Sequence, residues 1–468
     1  MADTKNGRMT VNVTELIDNS RVSGLQRLVI GLCAVLLFFD GYDIASLSTV
    51  LPLLSETLKV KPSSLSFAFS ITSIGILVGN FIFGSLADRF GRKWMTIIAT
   101  LICGIGMLMT PFAGSLQSLF LLRFFQGLGI GGAMPNAMAL VSEYSPKRSR
   151  SFMMTLAFTG VPIGGASAHF LGAFFIKNLG WHWVFYFGSM VPFALCLVSI
   201  FALPEAIQFM VNKSYSPERV AALLRRMYGK FTAADVPEAE VRFVLSEAPS
   251  KGKVPLAEVM KEGRAGLTIL AWIANFMGLM VAVYITSWFP TVLRQNGIPV
   301  TTGNQIAGLF QLGAVCGTPL IGRMMDRFTP TRGLLYAYVA SVVFVFSFGF
   351  AGKSLVLLAI VTFWAGFSVY GTQAGLLAFI GPRYPVAIRA TGLGWVFAIG
   401  RAGHVLGPII GAILVAQRWP LSQMFMAAAV PALIATICMV IIKSIVQKRE
   451  KEGKWDPPTG AQATGGAH

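Results

Sequence analysis

The sequence predicts an all-α integral membrane protein with twelve transmembrane helices in two pseudo-symmetric six-helix bundles. Three observations predict it. Of 468 residues, 54% are hydrophobic and 12% are charged. A soluble domain carries about 25% charged residues, and half that share cannot cover a water-facing surface. The chain holds twelve apolar runs near the roughly 20 residues that a span requires, and landmarks in its first half recur at a nearly fixed offset in its second. The composition excludes disorder, a secreted disulfide scaffold and an ordinary cytosolic enzyme.

The spans are predicted over 28–54, 64–87, 94–113, 117–142, 151–176, 181–203, 266–291, 304–325, 333–350, 354–381, 389–416 and 421–445. The first run has no signal-peptide cleavage pattern and reads as a retained helix. The chain carries 38 Lys+Arg against 20 Asp+Glu, a net charge of +18. Thirty of those basic residues fall at the N-terminus, in the even-to-odd loops and in the C-terminal tail, counting Arg323, Arg389 and Lys443 at the span ends that border them, against 6 in the odd-to-even loops. Arg123 and Arg401, deep inside spans, complete the count. Basic residues mark the cytoplasmic side, so both termini are expected there, in a cell inner membrane. The positive charge therefore orients the chain in a lipid bilayer and is not a nucleic-acid signal.

The expected organisation is a cytoplasmic N-terminal segment at 1–27, a six-helix bundle at 28–203, a cytoplasmic central loop at 204–265, a second bundle at 266–445 and a cytoplasmic tail at 446–468. In the central loop, Ser216-Pro217-Glu218 reads as a helix start. Val220, Leu223, Leu224 and Met227 follow at helical spacing, with Arg225, Arg226 and Lys230 on other faces. These predict amphipathic helices under the membrane that bridge the two halves. The five cysteines fall within apolar runs and read as small buried hydrophobes, with no metal site.

The repeat is explicit. Gly84-Ser-Leu-Ala-Asp88-Arg89 follows span two, and Gly322-Arg-Met-Met-Asp326-Arg327 follows span eight, 238 residues later. Pro52 and Pro290 end spans one and seven at the same offset. Glu143-Tyr144-Ser-Pro146 and Arg383-Tyr384-Pro385 leave spans four and ten. A parallel repeat places a substrate site between the bundles near the bilayer midplane.

These residues also carry a family resemblance. Gly84-x-Leu86-x-Asp88-Arg89-x-Gly91-Arg92-Lys93 resembles the signature loop of the major facilitator superfamily at every position. Arg123-Phe-Phe-Gln-Gly127 resembles its fourth-helix arginine motif. Asp40-Gly41-Tyr42-Asp43 is similar to the Asp-Gly-x-Asp signature of the aromatic acid:proton symporters. So are Val11–Asp18 and the stretch from Tyr384 through Arg389, Gly392, Gly394 and Trp395 to Gly400-Arg401 and Gly407-Pro408. The resemblance spans nearly the whole chain except about its last twenty residues. It implies the major facilitator fold and proton-driven uptake of a small aromatic carboxylate, benzoate- or hydroxybenzoate-like, by alternating access. The proton gradient drives such a carrier, and no cofactor is expected.

The intramembrane charges support the same chemistry. Asp40 and Asp43 would together cost on the order of 5–7 kcal/mol to insert, and their i,i+3 spacing puts both on one helix face. At 1.5 Å per residue, Asp40 lies about 18 Å and Asp43 about 22 Å along span one. Arg123 lies about 9 Å down span four from the opposite surface, near the Asp43 level. By the same count Arg401 matches Asp40 in depth and His404 matches Asp43. Asp40, Asp43, Arg123 and His404 are the candidate proton-coupling residues, and Arg401 is the candidate carboxylate clamp. The alternative is an ion-pair network that only holds helices together. Tyr42, Gln126, Gln311, Tyr370 and Trp395, with Asp43, are further substrate-binding candidates. Gln373 and Asn136 are further hydrogen-bonders in reserve.

Gly84, Asp88, Arg89, Gly91, Arg92, Lys93, Glu143, Asp326 and Arg327 are candidates for a cytoplasmic gate. Asp88 is expected to cap a neighbouring helix start. Glu143 reads either as a gate partner of Arg89 or Arg150 or as a solvated helix end. His169 reads as a packing histidine. The competing functions are a carrier of the same fold for another organic acid, a sugar or a drug, and a membrane-embedded enzyme or sensor. There is no His-Glu-x-x-His metal motif and no Gly-x-x-x-x-Gly-Lys-Ser/Thr phosphate loop, which argues against an enzyme or an ATP-driven pump. The chain is expected to act as a monomer.

Overall fold

The computed structural model describes residues 2–5, 8–213, 215–229, 241–245, 256–327, 329–351 and 354–452. Lys230, much of the central loop and the tail beyond 452 lie outside the described residues. Among the described residues, twelve long helical segments correspond to the expected spans. Spans one to six are Gly24–Thr57, Ser66–Phe90, Arg92–Met109, Leu116–Tyr144, the pair Arg150–Phe158 and Gly160–Asn178, and His182–Ala202. Spans seven to twelve are Ala265–Gln295, Val300–Arg327, Pro330–Ser347, Leu355–Ile380, Val386–Ala416 and Leu421–Lys451. Eleven are long and apolar enough, by length and composition, to cross a membrane. The other is span four, which is long enough but is diluted by Arg123, Gln126, Asn136 and Glu143 and by four glycines between 127 and 132.

The chain divides into two compact units. One comprises Met1–Val50 with Ile71–Lys251, the other Leu51–Ser70 with Gly252–His468. Each repeats the other's internal joints. In the first, Gly75 and Gly79 of span two lie against the backbone of Phe124 and Leu128 in span four. In the second, Gly313 and Gly317 of span eight, each 238 residues on, lie against Phe363 and Phe367 in span ten. Apolar burial drives no association between helices in lipid, so small residues that let backbones touch decide which helices pair. The Tyr42 hydroxyl donates to the Val184 carbonyl at 2.9 Å, tying span one to span six. The Tyr284 hydroxyl donates to Met424 at 2.9 Å, tying span seven to span twelve. Thr49 bonds His169 at 2.9 Å between spans one and five. The Trp288 indole donates to Pro408 at 3.0 Å between spans seven and eleven. His169 is thus buried and engaged with Thr49 at a joint the repeat also uses.

Three features depart from the sequence reading. The N-terminal segment is not independent of the central loop. Strands β1 (Ala2–Lys5) and β2 (Arg8–Asn12) pair antiparallel, and β2 pairs in parallel with β3 (Arg242–Val244). A short helix, Val13–Asn19, follows with Val13 and Ile17 buried. Next, the amphipathic helix Pro217–Tyr228 does form, with Pro217 in its first turn. Its apolar face, however, packs on the protein. Val220, Leu223, Leu224 and Met227 join a core with Leu25 and Val29 of span one and with Leu140, Val141 and Tyr144 of span four. Gln26 fastens this corner, donating to the Tyr144 carbonyl at 2.8 Å and the Tyr228 hydroxyl at 3.1 Å. Burial pushes the Tyr228 phenol up to about 12. The third departure is Cys316, which is exposed while the other four cysteines are buried. It shares an outward stripe with Leu312 and Leu320, four residues to either side.

Candidate functional site

In the first unit, span one carries the buried Asp40 and Asp43, and span four the buried Arg123 and Gln126. Gly41, between the acids, lets this happen. A Cβ there would collide with the Val161 carbonyl of span five, and Gly164 of span five meets the Phe38 carbonyl in the same way. Spans one and five therefore touch along their backbones at the level of the acids.

Arg123 is 1% exposed and Asp43 is likewise buried. An Arg123 Nη1 lies 3.6 Å from Asp43 Oδ1, and the Gln126 amide donates to the same oxygen. The guanidinium carbon stands 5.2 Å over the Phe185 ring, a cation–π contact in a desolvated place. The cluster is only half satisfied. Arg123 Nε and Nη2, Asp43 Oδ2 and Gln126 Oε1 are buried with no hydrogen-bond partner among the described residues. A purely structural buried ion pair offsets its desolvation only when its remaining donors and acceptors are bonded. Asp40 is buried one turn before Asp43 on the same helix.

Two of the candidate substrate contacts engage protein groups in this geometry. Tyr42 is 1% exposed, its hydroxyl is spent on Val184, and its ring packs with Phe38 and Phe187. Gln126 has its amide donor committed to Asp43, so it orients the acid. The sequence shows both as polar residues near the acids, but not which atoms their neighbours consume.

In the second unit, Gln311 and Thr286 are buried near the Tyr370 hydroxyl, and the Thr286 hydroxyl donates to the Ala282 carbonyl at 2.8 Å. The Tyr370 ring meets Phe310 edge-on at 5.8 Å. Arg401 and His404 lie one turn apart on span eleven, both half-buried. Trp395 is 40% exposed, tilted against Trp272. Asn136, in the first unit, donates to the Gly132 carbonyl of its own helix.

The signature loop folds around a residue that the sequence reading missed. Gly91 has φ +97°, a left-handed conformation that glycine alone adopts without strain. Its missing Cβ leaves room for the Glu205 carboxylate. Glu205 Oε1 accepts from the backbone N–H of Arg92 at 2.8 Å and of Lys93 at 3.1 Å. It thereby caps the positive end of span three. Asp88, expected to provide a cap, is exposed on the last turn of span two. Leu203-Pro204-Glu205 at the end of span six was the available signal, but nothing in it names span three as the partner.

Glu143 is buried and pairs with Arg92, not with Arg89 or Arg150. Its other oxygen accepts from the Gln208 N–H at 3.3 Å. The Tyr144 hydroxyl donates to the Glu205 carbonyl at 2.7 Å, and Lys93 Nζ donates to the Ile200 carbonyl at 2.7 Å. Span three's start is thus tied to the ends of spans four and six. Arg89 is exposed over the Phe90 ring, at 5.2 Å. Gly84 and its repeat mate Gly322 have open space where a Cβ would stand. Asp326 and Arg327 close span eight, with Arg327 exposed.

This arrangement makes a prediction. Glu205→Ala uncaps span three and should cost about 1–2 kcal/mol, read as a lower unfolding temperature in detergent. Gly91→Ala should cost as much or more, because it adds left-handed strain and pushes the carboxylate away. Unfolding temperatures equal to wild type in both variants would remove the cap from the account.

Comparison with known proteins identifies this architecture. A sequence model of the Major Facilitator Superfamily matches residues 33–303 and 270–465. The chain belongs to that superfamily. As a superfamily member it is a multi-pass membrane transporter and not an enzyme. It is 34% identical to a 4-hydroxybenzoate transporter of Acinetobacter baylyi, over 94% of this chain and 95% of the relative. It is 32% identical to a gallate transporter of Pseudomonas putida, over 92% and 94% respectively. It is 31% identical to a benzoate transport protein of Acinetobacter baylyi, over 92% of each. In fold it resembles a crystal structure of a D-xylose–proton symporter, with a TM-score of 0.69 at 14% identity, covering 89% of this chain and 97% of that one. The major facilitator fold with its twelve helices is therefore the fold of this chain.

Proposed function

We propose that this transporter imports a small aromatic carboxylate, benzoate- or hydroxybenzoate-like, together with protons by alternating access. The observation that carries the reading is the half-satisfied Asp43–Arg123–Gln126 cluster, in a chain that matches aromatic-acid transporters over nearly its full length. A carboxylate buried beside a guanidinium can release it on protonation, since the neutral acid no longer holds the cation. Asp40 and Asp43 carry the proton in this reading, Arg123 senses it, and His404 assists from span eleven. Arg401 clamps the substrate carboxylate through its planar fork. Rupture of the ties around Arg92, Glu143 and Glu205 accompanies opening of the cytoplasmic side. The proton gradient is the sole drive. The protein sits as a monomer in the inner membrane with both termini cytoplasmic, as the basic loops favour.

Vesicles reconstituted with the purified protein test this. An imposed inward proton gradient should drive accumulation of labelled benzoate or 4-hydroxybenzoate above its equilibrium level, and a protonophore should collapse it. Equilibration without accumulation would overturn proton coupling. Accumulation of a neutral sugar and of neither acid would overturn the substrate.

A further inference from the structure

Gln373 lies on span ten (Leu355–Ile380) in the second unit and is 7% exposed. Neither its Nε2 nor its Oε1 has a hydrogen-bond partner among the described residues, and both atoms are buried. Burying an amide unpaired incurs the full desolvation penalty of both its polar ends, so such a side chain calls for a ligand. Its neighbour one turn earlier, Tyr370, has Gln311 and Thr286 beside its hydroxyl. Among these four polar side chains, the amide of Gln373 is the one left with both ends unspent.

The space it occupies is made for it. The amide nitrogen lies against Gly278 of span seven, where a Cβ would overlap it. Gly278 stands 238 residues after Asp40, the offset of the internal repeat. Where span one carries a carboxylate, span seven has no side chain, and span ten supplies a neutral amide there.

We infer that Gln373 is a specificity-determining residue whose amide hydrogen-bonds a hydroxyl on the substrate's aromatic ring. The inference rests on the aromatic-carboxylate reading above. A ring hydroxyl both donates and accepts, and the amide offers one acceptor and one donor. A carboxylate only accepts, so it would leave Oε1 unpaired and facing a negative charge. An unsubstituted ring would leave both ends unpaired, and sites built to bond a hydroxyl reject analogues that lack it.

The test compares uptake of 4-hydroxybenzoate and benzoate in the same vesicles. Wild type should favour the hydroxylated acid in kcat/KM by about tenfold or more. Gln373→Leu should bring the ratio toward one by weakening uptake of 4-hydroxybenzoate while sparing benzoate. Gly278→Ala keeps the glutamine but pushes its amide aside, and should shift the ratio in the same direction. It decides the matter if Gln373→Leu is not recovered folded. A wild-type ratio near one, or variant ratios equal to wild type's, overturns the inference and leaves the parent reading standing. Uptake of neither acid by wild type overturns the parent reading, and this inference with it.

Discussion

Asp43→Asn is expected to abolish proton-driven accumulation while sparing exchange of labelled for unlabelled substrate. Asparagine keeps the size of the side chain but cannot take up or lose a proton. If Asp43 carries the coupling proton, the carrier can still shuttle loaded between its two faces, so exchange survives and gradient-driven net uptake fails. A structural role makes the opposite forecast. Breaking a buried pair from one side costs about 3–5 kcal/mol, because Arg123, 1% exposed, would be left uncompensated. Folded protein, exchange and accumulation would then fall together. Measuring all three in one preparation separates the cases. Arg123→Gln should lose coupling as well, and pairing it with Asp43→Asn should restore stability but not accumulation. Restored accumulation in the double variant would show that the charge pair, though buried, serves only packing.

Arg401→Ala is expected to lose the preference for an aromatic acid over its uncharged amide. Arg401 and His404 sit one turn apart on span eleven, each half-buried, in a helix held near span seven by Gly403 against the Phe276 carbonyl. A charge-assisted hydrogen bond to a carboxylate contributes roughly 1.5–3 kcal/mol, so affinity for the acid should fall about tenfold or more. Affinity for the amide should hardly change. Arg401→Lys keeps the charge but not the two-pronged geometry and should bind at an intermediate level. Titration of both ligands into wild type and variants by calorimetry reads this directly. Should Arg401→Ala still separate acid from amide while Arg123→Ala does not, the arginine in the first unit is the clamp.

Much of the molecule follows from local chemistry. A bilayer accepts only segments that satisfy their own backbone and cover themselves with apolar side chains. The spans are therefore written in the chain one at a time, without reference to neighbours. Span four is the exception that explains the rule. Its polar residues and glycines lower its hydropathy because they face spans one, two and three, not lipid. The 238-residue offset was equally legible, since two copies of one bundle reuse the same glycine joints. The Asp43–Arg123 pair could be read from cost alone. Charges this expensive need partners, and helix rise puts these two at one depth.

What the chain order does not carry is which atom spends itself on which. Tyr42 and Gln126 look alike as ligand groups in the sequence, yet the Tyr42 hydroxyl goes to Val184 and the Gln126 amide N–H to Asp43. Glu205, from the far end of span six, finds the start of span three through a space that Gly91 leaves open. Strand β3 pairs with β2 across more than two hundred residues of sequence. Gln373 looks like any other span glutamine until its surroundings show both ends of its amide unpaired. Hydropathy and periodicity are properties of consecutive residues, and a bilayer reads them segment by segment. Hydrogen-bond satisfaction belongs to neighbours in space, and only the packed helices decide who those neighbours are.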